Sequence, residues 1–81
     1  MHFTYILFSI TRNKYYVGSS SNTENRVIKH NTNHHGFTGK TADWEMVYSE
    51  EFSTKIESLK REKQIKNWKS RIMIEKLISG D

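Results

Sequence analysis

Residues 2–18, HFTYILFSITRNKYYVG, decide the fold of this 81-residue chain. Residues 2–10 are rich in β-branched and aromatic side chains, which favours a strand. Apolar residues alternate onto both of its faces, so we expect a strand that is covered on both sides. Residues 11–14 are long enough only for a turn. The run that starts at Tyr15 therefore folds back, and the two strands form an antiparallel hairpin.

A helix and a third strand follow the hairpin. Ser21 and Glu24 have the spacing of a capping box, in which each side chain satisfies a free backbone N–H at a helix start. The helix is expected to end near Asn31. Residues 44–52, WEMVYSEEF, again have the composition of a strand.

Two helices complete the chain. Thr54 and Glu57 form a second capping box before a helix over residues 55–68. Ser70 is a typical N-cap for the last helix, and Gly80 stands where a C-cap belongs. The sequence therefore predicts an α+β fold of order ββαβαα, with a small three-stranded mixed or antiparallel sheet flanked by helices.

Length and composition limit the kinds of protein this chain can be. Eighty-one residues make one domain, which we expect to span residues 1–81. There is no cysteine, which excludes disulfides and thiolate zinc sites. The N-terminal apolar run lacks a basic leader and a cleavage site, and no run approaches the ~20 apolar residues of a membrane span. A cytoplasmic location is the expectation.

The charge of the chain is unevenly distributed. The formal net charge is +4, and the segment from Lys60 to Arg71 is strongly basic. Its basic residues are Lys60, Arg61, Lys63, Lys66, Lys69 and Arg71, with Glu62 as the one acid among them. This segment is either a positive face that meets phosphates or an ordinary solvated helix surface.

Several residues with catalytic chemistry are brought together by the local pattern. Arg26 and His30 lie four apart in the first helix and so project from one face. Tyr5 and Tyr16 lie on neighbouring strands of the hairpin. This set of groups suits phosphodiester hydrolysis, in which a guanidinium stabilises developing charge and a tyrosine or imidazole deprotonates water. Each residue also has a structural reading, as a packed tyrosine or a surface helix residue.

Glu62 is the carboxylate that could complete such a site. It lies in the basic segment and has apolar residues three positions to either side. Its two interpretations are an ion pair with Lys66 at i+4 and a ligand of Mg²⁺, which uses one or two protein carboxylates and keeps its waters. A zinc site built from His30, His34 and His35 is a weak alternative, because their spacing matches no structural zinc motif.

Together these residues resemble the GIY-YIG nuclease family, in its small stand-alone single-domain branch. The first motif corresponds to Thr4-Tyr5-Ile6 and the second to Tyr16-Val17-Gly18. Arg26 with His30 resembles the family's helix motif, and residues 59–68, LKREKQIKNW, resemble the segment that carries its metal glutamate. The order of elements fits as well, as does the loop that contains Lys40.

The resemblance implies a role for each residue. Tyr5 and Tyr16 would be the site tyrosines, one of them a candidate general base. Arg26 would bind the scissile phosphate and His30 would assist. Glu62 would hold a single Mg²⁺ or Mn²⁺. The nucleic-acid contacts would come from Lys40, Lys60, Arg61, Lys63, Lys66 and Lys69.

Two departures from the family pattern stand out. Thr4 replaces the glycine of the first motif, and the late asparagine of larger members has only Asn67 as its nearest candidate.

Two functions follow from the sequence. The first is a metal-dependent endonuclease on DNA (RNA is left open), structure-selective or weakly selective, in DNA repair or recombination. The second is a non-catalytic nucleic-acid-binding module that uses the Lys60–Arg71 segment. Retention of both tyrosines, Arg26 and Glu62 favours the enzyme. A protein partner that supplies specificity is left open, as is the choice between a monomer and a weak homodimer.

Overall fold

Six elements follow one another in the order ββαβαα. The computed structural model describes residues 1–32 and 43–80, with the backbone alone at positions 29, 30 and 32. The elements are β1 (His2–Ser9), β2 (Lys14–Ser20), α1 (Thr23–Thr32), β3 (Trp44–Phe52), α2 (Lys55–Trp68) and α3 (Arg71–Ser79). The predicted α+β fold and its element order are confirmed.

The three strands form one antiparallel sheet in the order β2-β1-β3. The hairpin register places Tyr5 opposite Gly18 and Thr4 opposite Ser19. A register shift in the β1–β3 pairing falls between Ile6 and Leu7. Because β1 lies in the centre, β2 is an outer strand, and groups from both faces of the sheet can meet around its free edge.

The core has two layers, one on each face of β1. Tyr5, Leu7 and Trp44 are buried on the face that α1 covers, where Val27 packs against them. The other face buries a second apolar cluster beneath α2 and α3, formed by Ile6, Val17 and Ile65. The expectation that the first strand is covered on both sides is thus confirmed.

The helix starts follow the capping pattern in two of three cases. Thr54 Oγ1 accepts a hydrogen bond from the Glu57 N–H at 3.2 Å, and Ser70 likewise caps α3. The prediction for α1 is wrong by one residue. Asn22, not Ser21, accepts from the N–H three residues on, that of Asn25, at 3.1 Å. Asparagine is among the most strongly preferred N-cap residues, so the helix begins directly after Asn22.

Side-chain hydrogen bonds fasten the start of β3 to the rest of the fold. Asp43 accepts from the Ser9 hydroxyl at 2.6 Å and from the Thr11 N–H at 2.8 Å. The Asn31 amide both accepts from the Trp44 N–H and donates to the Trp44 carbonyl, at 2.8 and 3.0 Å. The end of α1 and the β1–β2 turn are therefore both tied to the same end of β3.

No helix in residues 1–32 and 43–80 is long and apolar enough to cross a membrane.

Candidate active site at the outer edge of β2

The site begins with Tyr5, whose side chain extends from β1 across the neighbouring strand β2. Tyr5 is fully buried, and its ring lies over the backbone of Gly18, the residue opposite in the hairpin. A Cβ atom at position 18 would stand 2.6 Å from the Tyr5 hydroxyl oxygen and 2.8 Å from Cζ. Only glycine therefore leaves room for this tyrosine, which explains physically why the second motif ends in Gly18.

Arg26 meets the Tyr5 hydroxyl from α1. The two side chains are hydrogen-bonded. Burial raises the pKa of Tyr5 above its ordinary 10.0, the Arg26 bond opposes that rise, and the nearby Tyr16 and Glu62 add to it. Tyr5 is thus held in its protonated form at neutral pH. Arg26 Nε is buried and has no hydrogen-bond partner among the described residues.

Tyr16 lies beside Tyr5 along the same edge. Its ring packs edge-on against Trp44, with 6.4 Å between the centroids. The Lys66 ammonium of α2 lies 5.9 Å from the centroid of the Tyr16 ring. Residues from both layers of the fold therefore meet at Tyr16.

Glu62 approaches the same edge from α2. Its Oε1 accepts a hydrogen bond from the Ser19 hydroxyl at 2.6 Å, and its Oε2 forms an ion pair with Lys66 at 2.6 Å. The carboxylate side chain is 19% exposed. The ion pair with Lys66, one of the two interpretations of Glu62 from the sequence, is thus formed, and a hydroxyl of β2 binds the other oxygen.

Thr4 anchors the helix that carries Glu62. Its hydroxyl donates to the Ser58 carbonyl at 2.6 Å, and both residues are buried. Ser58 lies one turn before Glu62 on α2. Thr4 and Ser19 are opposite each other in the hairpin, so this pair of hydroxyls binds two successive turns of α2 to the sheet. The threonine that departs from the family motif has a structural function.

Both oxygens of Glu62 are engaged, one by the Ser19 hydroxyl and the other by the Lys66 ammonium. Magnesium uses one or two protein carboxylates and keeps its waters, so a lone carboxylate is compatible with such an ion. Among the described residues, no three His, Cys, Asp or Glu side chains cluster as a metal site. The His30 side chain, His34 and His35 lie outside the described part of the chain, so the imidazole proposals stay predictions.

The basic residues around α2 point in different directions. Lys66 and Lys69 lie beside β2. Lys60 is exposed and points roughly 160° away from Glu62 on the helix. Arg61 is turned toward β3, where it pairs with Glu50 at 2.9 Å.

The remaining predicted contacts are less informative about the site. Lys63 is exposed and lies roughly 100° from Glu62. Asn67 is also exposed and faces roughly 140° away, so it is not brought to the site. Lys40 lies outside the described residues. The structure thus brings together Tyr5, Tyr16, Arg26, Glu62 and Lys66, but not Lys60, Arg61 or Asn67.

Sequence reasoning missed Thr4, Ser19 and Ser58 as residues that position the site. A signal for the first two was present. Once Tyr5 is placed opposite Gly18, the neighbouring pair is Thr4 and Ser19, two hydroxyls on the opposite face. No pattern in α2 indicates that the Ser58 carbonyl receives one of them.

The chain is similar to a known protein family and to small bacterial proteins. The family model described as the GIY-YIG catalytic domain matches residues 1–76. A UPF0213 protein of Staphylococcus epidermidis is 38% identical over 74 residues, which cover 83% of this chain and 82% of that protein. A UPF0213 protein of Staphylococcus saprophyticus is 39% identical over 79 residues, or 96% of this chain and 94% of its own length. No solved structure gives a significant match. These relatives are small proteins, in agreement with the small branch that the sequence resembles.

Proposed function

Because the chain belongs to the GIY-YIG family of nucleases, whose members generally use divalent metal ions, we propose that it is a metal-dependent endonuclease that hydrolyses phosphodiester bonds in DNA. The observation that carries this proposal is the meeting of Tyr5, Tyr16, Arg26 and Glu62 at one edge of the sheet. These groups come from four separate elements, and two of them approach from opposite layers.

Arg26 is suited to the scissile phosphate. A guanidinium presents several N–H donors in one plane, and phosphate oxygens accept them in pairs. The Nε atom, buried without a partner among the described residues, is a donor that such a ligand would satisfy. The hydrogen bond to Tyr5 orients the guanidinium before the substrate arrives.

Glu62 would hold a single Mg²⁺ or Mn²⁺. A bound divalent ion stabilises charge on the phosphate oxygens and lowers the pKa of its bound water. The Ser19 hydroxyl donates a hydrogen bond to one carboxylate oxygen. It would fix the orientation of Glu62 both with and without the bound ion.

The two tyrosines would have different tasks. Tyr5 keeps its proton, since burial raises its pKa, so we assign it to hydrogen bonding at the phosphate. Tyr16 is the other tyrosine of the site, and its ring lies beside the Lys66 ammonium, 5.9 Å from the centroid. Tyr16 is therefore our candidate general base, with His30 in an assisting role.

Several finer features belong to the same proposal. We expect residues 1–81 to act as one domain in the cytoplasm, in DNA repair or recombination. Selectivity for branched substrates would come from DNA shape or from a protein partner, and the chain would be a monomer or a weak homodimer.

The test is cleavage of plasmid, branched and flap DNAs with and without Mn²⁺ or Mg²⁺, beside direct measurement of Mn²⁺ binding. Glu62→Gln should abolish both cleavage and metal binding. Glu51→Gln, which alters an exposed carboxylate of β3, is the matched control and should retain both. If the wild type cuts no substrate yet binds DNA with a steep salt dependence, the chain is a nucleic-acid-binding module and the enzyme proposal fails.

A further inference from the structure

A groove of about 510 Å³ runs along β2 and ends beside the candidate site. Its floor is apolar: Ile74 and the rings of Tyr15 and Tyr16 line it, and the buried side chains of Val17 and Ile65 lie beneath them. One wall is the start of β2, and the other is the junction between α2 and α3. The volume lies in the range of small-ligand sites, roughly 300–1,000 Å³.

Lysines border the groove. Lys14 lies at the start of β2, Lys66 at the end of α2 and Lys69 at the α2–α3 junction, and all three are exposed. Among the described residues no carboxylate lines the groove, although the Glu75 carboxylate beside it pairs with Arg71 and accepts a hydrogen bond from the Tyr15 hydroxyl. An apolar floor with a cationic rim is complementary to a ligand that has a flat apolar part and a phosphate.

At one end of the groove a guanidinium lies against an aromatic ring. The guanidinium of Arg71 lies 5.2 Å from the centroid of the Tyr15 ring. Two hydrogen bonds to Asn13 hold its plane in place, at 2.9 Å to the carbonyl and 2.7 Å to the side chain. Guanidinium planes and aromatic rings are the surfaces on which unpaired bases stack.

Lys66 and Tyr16 connect the groove to the candidate site. Both line the groove, and Lys66 is also the ion-pair partner of Glu62. A strand whose phosphate lies at Glu62 and Arg26 would therefore place its next nucleotide in the groove.

We propose that the groove is a nucleotide subsite that accepts an unpaired nucleotide adjacent to the scissile phosphate. In a duplex, bases are stacked on their neighbours and cannot reach an apolar floor, whereas an unpaired base can leave the stack at little cost. The inference rests on the proposed function for the position of the cut and identifies the substrate as one with an unpaired stretch.

Binding in EDTA tests the subsite without any cleavage. Fluorescence anisotropy would compare a blunt duplex, the same duplex with a short single-stranded flank, and that flanked duplex with abasic residues in the flank. We expect the flanked probe to bind about five-fold or more tighter than the abasic one, since stacking of one base contributes at least that much. Lys69→Glu should weaken binding of the flanked probes relative to the blunt duplex, because it replaces a cation at the rim of the groove. Lys76→Glu makes the same charge change at an exposed position that does not line the groove, and it should affect flanked and blunt probes alike.

The outcomes separate this inference from the nuclease proposal. Equal affinity for base-containing and abasic flanks, or an equal effect of the two substitutions, overturns the subsite even if metal-dependent cleavage is found. A flank preference that depends on Lys69 upholds the subsite even if Glu62→Gln shows that no nuclease is present. Thermal unfolding of both variants confirms that each is folded.

Discussion

Gly18 is the residue whose lack of a side chain matters most to the site. Gly18→Ala would place a methyl group 2.6 Å from the Tyr5 hydroxyl oxygen and 3.1 Å from Cε1 of Tyr16. Tyr5 is fully buried and has no space to move into. We expect a loss of about 1–3 kcal/mol in the free energy of unfolding, together with a fall in cleavage at temperatures where the variant is folded.

Gly80→Ala provides the comparison. Gly80 has a φ of +85° and no atom within 4 Å of an added Cβ, so alanine there costs roughly 1 kcal/mol of backbone strain far from the site. Urea unfolding and cleavage assays on both variants separate stability from activity. Full activity in Gly18→Ala would mean that the close contact does not position Tyr5.

In the proposed metal site, Lys66 would compete with the divalent ion for Glu62. Its ammonium lies 2.6 Å from Oε2, where a metal would approach. Lys66→Met removes that competitor and one positive charge, so Mn²⁺ affinity should rise about two- to five-fold, as expected for a partly exposed pair. Titration followed by electron paramagnetic resonance of free Mn²⁺ measures this, with Lys63→Met as the control. Weaker Mn²⁺ binding in Lys66→Met would show that the lysine assists the metal.

For single residues, the sequence identifies the reactive groups of the candidate site but not the side chains that hold them in position. Tyr5, Tyr16, Arg26 and Glu62 carry recognisable chemistry at recognisable spacings. Ser19 does not, because a serine in a polar turn is ordinary until the register and the approach of α2 place it against a carboxylate. The raised pKa of Tyr5 depends on its burial, which the sequence does not give.

At the scale of elements, the attachment of α2 to the sheet decides where Glu62 lies. Thr4→Val keeps the shape of a buried side chain and removes the hydroxyl that binds the Ser58 carbonyl. We expect a loss of about 1 kcal/mol in the free energy of unfolding and a lower cleavage rate, since Glu62 lies one turn beyond the lost contact.

Thr54→Val is the matched variant for this attachment. It removes the N-cap of the same helix and costs about 1 kcal/mol, but it leaves the bond to β1 intact. Chemical denaturation gives the two stabilities, and single-turnover cleavage gives the two rates. Equal rates in both variants would show that α2 is positioned by its apolar face alone.

Helix ends illustrate what local sequence can and cannot predict. Ser70 is the single good cap in its neighbourhood, and Thr54 is distinguished from Ser53 by Glu57, which completes its capping box; both Thr54 and Ser70 are used. Before α1, both Ser21 and Asn22 are suitable N-cap residues, and only the structure shows that Asn22 is the cap. The left-handed conformation of Lys69, with φ of 50°, has no sequence signal, because lysine has no special preference for it. That residue ends α2 and turns the chain into α3.

At the scale of the whole molecule, Asp43 links the β1–β2 turn to the start of β3. Hydrogen bonds from the Ser9 hydroxyl and the Thr11 N–H lower the pKa of Asp43 from 3.8 to about 2. Since the folded pKa lies below the unfolded value, its contribution to stability is complete above pH 3.8. That contribution is lost as pH falls toward about 2.

Asp43→Asn should remove the part of the free energy of unfolding that depends on the ionised Asp43 carboxylate. Thermal unfolding between pH 6 and pH 2 should show the variant less stable at pH 6, with the difference from wild type narrowing toward pH 2. Glu45→Gln, which neutralises an exposed carboxylate two residues away, controls for net charge. A difference that stays constant across this range would mean that the Asp43 contacts do not depend on its ionisation.

The path of the chain through the site has a consequence for how the protein could be divided. Residues 1–32 carry Tyr5, Tyr16 and Arg26, whereas residues 43–81 carry Glu62, Lys66 and Lys69. The central strand belongs to the first part, and its β3 partner belongs to the second. Neither part holds a complete site, but each presents a strand edge and an apolar face that match the other. We expect two co-expressed fragments, each inert, to reassemble across the β1–β3 pairing into a conditional nuclease that cuts only where both are present.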